Sequence, residues 1–248
     1  MSEIQHKNEA LVESMFKAGC HFAYARSRRH PTAAPFIFGV KNRVEIFDLE
    51  KTSDKLLEAK KFISTIGASG KKVLFVGTKN EAREATQRTA ASVEMPFVNL
   101  RWIGGTLTNF PEIRRRIDKY EDLMSKREKG ELAKYTKKER LLIDREIAKL
   151  ENSFSGIVSM KEMPGAVVIV DSEKEHIALA EIRKQGIPVV AITGSDCNLK
   201  KVTYPIPAND SAKASVEFIL KELANSFSEG VKQIIKVKPV EKVAEVKK

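Results

Sequence analysis

The sequence predicts an α/β fold, built on a parallel β-sheet with helices on both faces. Short runs rich in β-branched residues alternate along the chain with stretches of helical periodicity, which is typical of βαβ units. Three of these runs, residues 73–76, 167–170 and 189–192, are continuously apolar. Strands of this kind are covered on both faces, so we expect helices on either side of the sheet.

The predicted elements follow one another in a regular order. Residues 36–38 and 44–47 form an antiparallel hairpin near the N-terminus, with Lys41 and Asn42 between the strands. The remaining elements are strands at residues 72–77, 96–99, 165–171 and 187–192, and helices at residues 81–93, 174–185 and 210–227.

Residues 110–154 interrupt this alternation. They carry no strand signal, and their apolar residues recur at spacings of three and four in two narrow seams, which predicts two helices. Gly130 lies between the seams, and Thr136 with Glu139 forms a capping box that starts the second helix. Lys, Arg, Glu and Asp dominate the other positions. We therefore expect an antiparallel helical hairpin, a coiled coil, that projects from the sheet into solvent.

This pattern divides the chain into three parts. We expect a discontinuous α/β core over residues 1–109 and 155–228, the helical hairpin over residues 110–154, and a basic, disordered tail over residues 229–248. The tail is rich in Lys and has no aromatic residue, a composition that favours disorder over a packed fold.

The charge of the chain indicates a polyanionic partner. Its 44 Lys and Arg residues against 33 Asp and Glu residues give a formal net charge of +11, which favours nucleic acid over an anionic membrane. No apolar run approaches the roughly 20 residues that cross a bilayer, and the N-terminus lacks the apolar segment of a signal peptide. We therefore expect no membrane contact and a cytoplasmic location. Cys20 and Cys197 are too far apart in sequence for a metal clamp and are predicted to be buried thiols.

Two groups of basic residues are candidate RNA contacts. One lies in a loop that ends at Pro31, where forked guanidinium groups can bind phosphate oxygens. The other lies on the helical hairpin. The alternative for both groups is a solvated surface without a ligand. The predicted contacts are Arg26, Arg28, Arg29 and His30 in the loop, Arg114 and Arg115 at the base of the hairpin, and Lys137 and Lys138 near its tip.

Residues 99–109 combine the only tryptophan with a basic residue and a glycine pair. We interpret Trp102 as a core residue and Arg101 as an RNA contact, because an indole gains most from burial and a guanidinium keeps its charge. The alternative is a purely structural pair, in which the guanidinium stacks on the ring at the rim of the core. Gly104 and Gly105 can form a tight turn after the pair.

Thr78 and Lys79 follow a strand and precede a helix, where open α/β sheets bind anions. We interpret Lys79 as a further contact to RNA phosphate. The alternative is a Rossmann-like cytosolic enzyme that binds a nucleotide or sugar phosphate here and at residues 193–195. Neither a glycine-rich nucleotide motif nor a catalytic or metal-ligand pattern supports this enzyme, so we expect no cofactor, no metal and no enzymatic activity.

Six stretches of the chain resemble the bacterial family of small-subunit ribosomal protein 2, in the family's order and within a match over residues 11–228. They are AGCHF (residues 18–22), FDLEKT (47–52), LFVGTK (74–79), RWIGGTLTN (101–109), TKKE (136–139) and PIPAND (205–210). The resemblance implies a flavodoxin-like or Rossmann-like core with an inserted helical hairpin, and a non-enzymatic protein bound to small-subunit ribosomal RNA near the junction of head and body. It also implies a late step in subunit assembly, contacts with neighbouring ribosomal proteins, and help in holding ribosomal protein 1, which binds messenger RNA.

The chain departs from this family in three places. Ala23 and Tyr24 stand where the family usually has Gly and His, and Arg29 and His30 stand where it usually has Trp and Asn. The added Arg can replace the missing side chains electrostatically. Residues 194–196 replace a usual Asp-Thr-Asn, so we expect a local rearrangement of that loop without loss of the fold.

Overall fold

The computed structural model describes residues 2–237, which form two sheets and the helices that cover them. The strands are β1 (Phe22–Ala25), β2 (Ile37–Lys41), β3 (Val44–Phe47), β4 (Val73–Val76), β5 (Phe97–Val98), β6 (Ala166–Val170), β7 (Val189–Thr193) and β8 (Tyr204–Pro207). The α-helices are α1 (Ser2–Lys17), α2 (Leu49–Ala68), α3 (Asn80–Ser92), α4 (Phe110–Glu128), α5 (Lys137–Phe154), α6 (His176–Lys184) and α7 (Lys213–Val237).

The larger sheet is fully parallel, with the strand order β5-β4-β6-β7-β8. If the five strands are numbered 1 to 5 along the chain, starting at β4, this is the order 2-1-3-4-5. It is the strand order of the flavodoxin-like fold and differs from the Rossmann order. The predicted α/β class is therefore confirmed. The direction of strand addition reverses at β4, so the topological switch point lies at the carboxyl ends of β4 and β6.

Both faces of this sheet are covered, because successive strand residues point to opposite sides. Phe75 and Val168 pack in a first apolar cluster with α2, α3 and α7. Leu74 and Val167 pack in a second cluster with α6, Trp102 and the adjoining ends of α4 and α5. The continuous apolar runs in the sequence thus correspond to strands buried on both sides.

The smaller sheet is antiparallel, in the order β1-β3-β2. The predicted hairpin is confirmed as β2 and β3, but the turn residues are Asn42 and Arg43, with φ of 52° and 65°. A two-residue turn of this kind needs positive φ at both positions. Lys41, which was predicted in the turn, is the last residue of β2 and pairs with Val44. β1 was not predicted.

Helices α4 and α5 form the hairpin, and Lys119 Nζ lies 2.5 Å from a carboxylate oxygen of Glu146 between them. The capping box is confirmed, since Thr136 and Glu139 exchange side-chain to backbone hydrogen bonds. Ile113, Ile117 and Phe154 belong to the second cluster beneath the parallel sheet. The base of the hairpin is therefore packed into the core.

Helix α7 continues into the segment predicted as a tail. Residues 229–237 are helical, because Val231 packs against the first cluster and Gly230 lies directly against the backbone of α2. This corrects the start of the tail. Residues 238–248 lie outside the described part of the chain.

The packing at the base of the hairpin predicts different outcomes for two deletions. Replacing residues 121–146 with a short Gly/Ser linker should leave one cooperative melt, because the second cluster keeps its three hairpin side chains. Replacing residues 111–154 should abolish cooperative folding, since each lost side chain costs about 2–5 kcal/mol against a total stability of about 5–15 kcal/mol. Circular dichroism melts of both proteins measure this. Equal melting temperatures would show that the base contributes nothing to the core and that residues 110–154 are an independent unit.

Candidate nucleic-acid interface

Lys79 lies at the topological switch point, three residues beyond the end of β4. Its Nζ is 2.9 Å from Oδ2 of Asp210 and 3.1 Å from Oδ2 of Asp171. These carboxylates follow β8 and β6, so the carboxyl ends of three parallel strands bring the three charges together. The side chains of Lys79 and Asp210 are only 13% and 2% exposed. An internal ion cluster therefore fills the place where an open α/β sheet binds anions.

The charges of this cluster do not balance, since one ammonium faces two carboxylates. Burial, and then the charge of Asp171, raises the pKa of Asp210 to about 6. Burial also favours a higher pKa for Asp171, but the hydrogen bond from the Lys174 amide and the charge of Lys79 outweigh it and lower this pKa. Burial opposes the charge of Lys79, but the charge of Asp210 outweighs it and raises the pKa of Lys79. On acidification Asp210 is therefore protonated before Asp171.

A further buried carboxylate lies beside the switch point. Glu175 accepts a hydrogen bond from the amide of Thr78 at 3.0 Å and another from the Thr78 hydroxyl. Burial raises the pKa of Glu175, although both hydrogen bonds oppose the change. A phosphate group here would meet the negative charge of Asp171 next to Glu175, which disfavours binding. The geometry gives no support to the alternative of a nucleotide or sugar-phosphate enzyme.

The basic loop, residues 26–30, is attached to the same edge of the sheet. The guanidinium of Arg28 lies over the ring of Tyr24, 4.4 Å from its centroid, and 3.3 Å from Oδ2 of Asp196. The side chain of Arg28 is nevertheless 61% exposed, and Arg26 is exposed as well. Both guanidinium groups can therefore reach a phosphate group outside the protein.

Arg29 and His30 have partners within the protein. Arg29 Nη1 donates to Oε1 of Glu45 at 2.9 Å, and the side chain of Glu45 is 0% exposed. The Nδ1 of His30 accepts a hydrogen bond from the amide of Thr32 at 3.2 Å. A buried carboxylate is costly without a counter-charge, so Arg29 is needed by the fold itself.

One carboxylate holds the turn that contains Trp102. Oε1 of Glu181 accepts hydrogen bonds from the indole Nε1 at 3.2 Å and from the amide of Gly105 at 2.7 Å. Oε2 accepts from the amide of Leu107 at 3.2 Å. Burial favours a higher pKa for Glu181, but these hydrogen bonds outweigh it and lower the pKa. Trp102 is buried in the second cluster as predicted, while Arg101 is exposed.

The basic residues of the helical hairpin differ in their surroundings. Arg114 at the base is 23% exposed, and its Nη2 lies 2.7 Å from Oε2 of Glu121. Arg115 is 81% exposed. Lys137 and Lys138 are exposed in the first turn of α5. Arg115 and the two lysines are therefore available to a ligand, whereas Arg114 is engaged within the hairpin.

The structure brings Lys79 and the basic loop together through Tyr24, whose hydroxyl oxygen lies 3.1 Å from Lys79 Nζ. The predicted residues of the hairpin lie on two other elements, the helices α4 and α5. The sequence alone does not reveal the roles of Tyr24, Asp210 and Glu181. Asp210 ends the PIPAND stretch, which could have indicated a role, but nothing in the sequence points to Glu181.

Three further observations limit the chemistry of the chain. Among the side chains that the structure describes, those of residues 9–233, no cluster of His, Cys, Asp and Glu could hold a metal ion. None of the helices described is long and apolar enough to cross a membrane. Cys20 and Cys197 are buried free thiols, as predicted, and burial raises the pKa of both.

Known proteins identify the family. The family model described as Ribosomal protein S2 matches residues 15–230. The small ribosomal subunit proteins uS2 of Coprothermobacter proteolyticus and of a Roseiflexus species are 41% and 42% identical over 88% of this chain and 82% and 84% of their own lengths. The protein uS2c of Rhodomonas salina is 41% identical over 88% of this chain and 90% of its own length. The chain therefore belongs to the ribosomal protein S2 family, which is structural and not enzymatic.

Proposed function

We propose that this chain, a structural constituent of the small ribosomal subunit in translation, binds small-subunit ribosomal RNA near the junction of the head and the body. Family membership and the small-subunit relatives support the ribosomal role. The observation that carries RNA binding is the exposure of basic side chains on a chain of net charge +11, with Arg28 and Arg115 at 61% and 81% exposure. The position at the junction follows from the family resemblance.

The predicted contact residues fall into two groups by their surroundings. The exposed group, which we propose as direct phosphate contacts, consists of Arg26, Arg28, Arg101, Arg115, Lys137 and Lys138. The second group has partners inside the protein and consists of Arg29, His30, Lys79 and Arg114. RNA contact by the second group stays a prediction, and the internal partners favour a role in shaping the surface.

The finer parts of the proposal concern assembly and neighbours. The family resemblance supports a late step in subunit assembly, contacts with other small-subunit proteins, and attachment of ribosomal protein 1, on ribosomes in the cytoplasm. Small subunits isolated from cells depleted of this chain test the attachment. We expect them to retain the proteins that assemble early and to have lost ribosomal protein 1; unchanged ribosomal protein 1 would rule out the attachment role.

We predict that the affinity for small-subunit ribosomal RNA falls steeply with salt. Each phosphate contact releases counterions, so several contacts should lower the affinity by orders of magnitude between about 50 and 200 mM salt. Arg115→Gln should reduce the slope of log affinity against log salt by roughly one, because it removes one contact. Filter binding or fluorescence anisotropy across the salt series measures both quantities.

Lys221→Gln is the matched control for this experiment. Lys221 is an exposed residue of α7 outside the proposed contact group, so its substitution changes the net charge equally. We expect it to leave the slope unchanged. A wild-type affinity that is independent of salt would contradict the electrostatic interface, and equal slopes for the two variants would remove Arg115 from it.

A further inference from the structure

We propose that Tyr24 and Lys79 are positioning residues, which hold the basic loop of residues 26–30 in its RNA-binding conformation before RNA arrives. The inference rests on the proposed RNA-binding function and explains how the loop is prepared for it. A continuous series of contacts leads from the buried Asp210, through Lys79 and Tyr24, to the exposed Arg28.

The first step is the immobilisation of Lys79. Its Nζ lies 2.9 Å from Asp210 and 3.1 Å from each of the oxygens of Asp171, Tyr24 and Ser211. An ammonium group has three protons, so these four acceptors leave none for a phosphate. Lys79 is therefore a fixed, buried partner for Tyr24, and direct RNA contact is the weaker explanation for it.

The second step is the immobilisation of Tyr24. Its hydroxyl oxygen accepts a hydrogen bond from Lys79 and lies 2.7 Å from Oγ of Ser211. Its backbone amide donates to Oγ of Ser195 at 3.1 Å. The backbone and the far end of the ring are thus both bonded to loops at the carboxyl edge of the sheet. The position and the long axis of the ring are fixed as a result.

The third step is the restriction of the Arg28 side chain by the fixed ring of Tyr24. Its guanidinium lies 4.4 Å from the centroid of the Tyr24 ring and 3.3 Å from Asp196, while most of its side chain remains exposed. A free arginine side chain samples many rotamers and loses that freedom on binding. A guanidinium already held in place loses less, which strengthens binding without adding a contact.

The opposite end of the loop is held by the same residue that binds Tyr24. The amide of His30 donates to the backbone oxygen of Ser195 at 2.8 Å, while the hydroxyl of Ser195 accepts from the amide of Tyr24. Arg29 is bonded to the buried Glu45 between these points. The loop is therefore fixed at its start, in its middle and at its end, and Tyr24 is the attachment that bears on Arg28.

Hydrogen exchange in the free protein tests the positioning directly. We expect Tyr24→Ala to accelerate exchange at residues 26–30, and Tyr24→Phe to do so less, because it keeps the ring and loses only the hydroxyl. Tyr135→Ala is the control, since Lys134 lies 5.5 Å above that ring on the helical hairpin, away from the loop. Exchange in the loop that stays at the wild-type rate in both Tyr24 variants overturns the proposal.

RNA binding separates positioning from contact. We expect Tyr24→Ala to lower the affinity by about tenfold with an unchanged salt slope, because the charges remain and only their order is lost. Arg28→Gln should lower both the affinity and the slope, the latter by roughly one. A loss of affinity in Tyr24→Phe with wild-type exchange in the loop would overturn the inference and make the tyrosine hydroxyl a contact itself, because a neutral hydroxyl contributes affinity without changing the salt slope. Salt-independent binding by the wild-type protein would instead overturn the proposed function, whatever the exchange data show.

Discussion

Lys79→Met should lower the free energy of unfolding by about 3–5 kcal/mol, because it leaves buried carboxylates without their counter-charge. The two carboxylates of Asp171 and Asp210 share this one ammonium, and the side chain of Asp210 is 2% exposed. Methionine has a similar length, so the loss reflects charge rather than volume. Urea unfolding followed by circular dichroism measures the change.

The loss of unfolding free energy in Lys79→Met should be smaller at acidic pH. Burial and the charge of Asp171 already raise the pKa of Asp210 from 3.8 to about 6, and loss of Lys79 raises it further. A carboxyl group with a raised pKa in the folded state stabilises the fold when protonated, and this stability is lost as the pH rises through that pKa. The difference between variant and wild type should therefore be smaller at pH of about 5 than at about 8.

Two further variants make this result specific. Lys61→Met removes an exposed lysine of α2 and should change stability by less than about 0.5 kcal/mol. Asp210→Asn in the Lys79→Met background should recover part of the loss, because it removes one of the two unpaired charges. If Lys79→Met unfolds at the same urea concentration as Lys61→Met, the buried ion cluster does not stabilise the fold.

The sequence predicts the central strands well because burial on both faces leaves a continuous apolar run. It misses two of the four edge strands, β1 and β8. β8 contains Pro205 and Pro207, and proline in a strand removes a backbone donor, so the pattern argues against a strand. β8 pairs only with β7, and an edge position tolerates proline. β1 is a short edge strand without alternation, which leaves no periodic signal.

The candidate site is less accessible to sequence reasoning than the fold. The position of Lys79 after a strand correctly places it at the carboxyl edge of the sheet. Its partners Asp171 and Asp210 lie 92 and 131 residues away, so the sequence does not show that the expected anion site is already filled. The same limit hides Glu181, which lies 79 residues from Trp102 and yet supports the whole turn.

Trp102→Ala should lower the free energy of unfolding by about 3–5 kcal/mol, because it removes a large side chain from the second cluster and leaves a cavity. Trp102→Phe should cost less, since it keeps most of the apolar contact and loses the hydrogen bond to Glu181. Chemical unfolding of the two variants measures the difference. RNA affinity should fall in Trp102→Ala only as far as the folded fraction falls.

Arg101→Ala is the matched variant that separates structure from contact in this turn. The exposed guanidinium should contribute little to folding, so we expect a nearly unchanged melting temperature and a salt slope reduced by roughly one. Glu181, and not Arg101, holds the indole and the glycine turn through hydrogen bonds. Early melting of Arg101→Ala with an intact salt slope would reverse this assignment, and the basic loop would then have to supply the arginine contacts at this edge of the sheet.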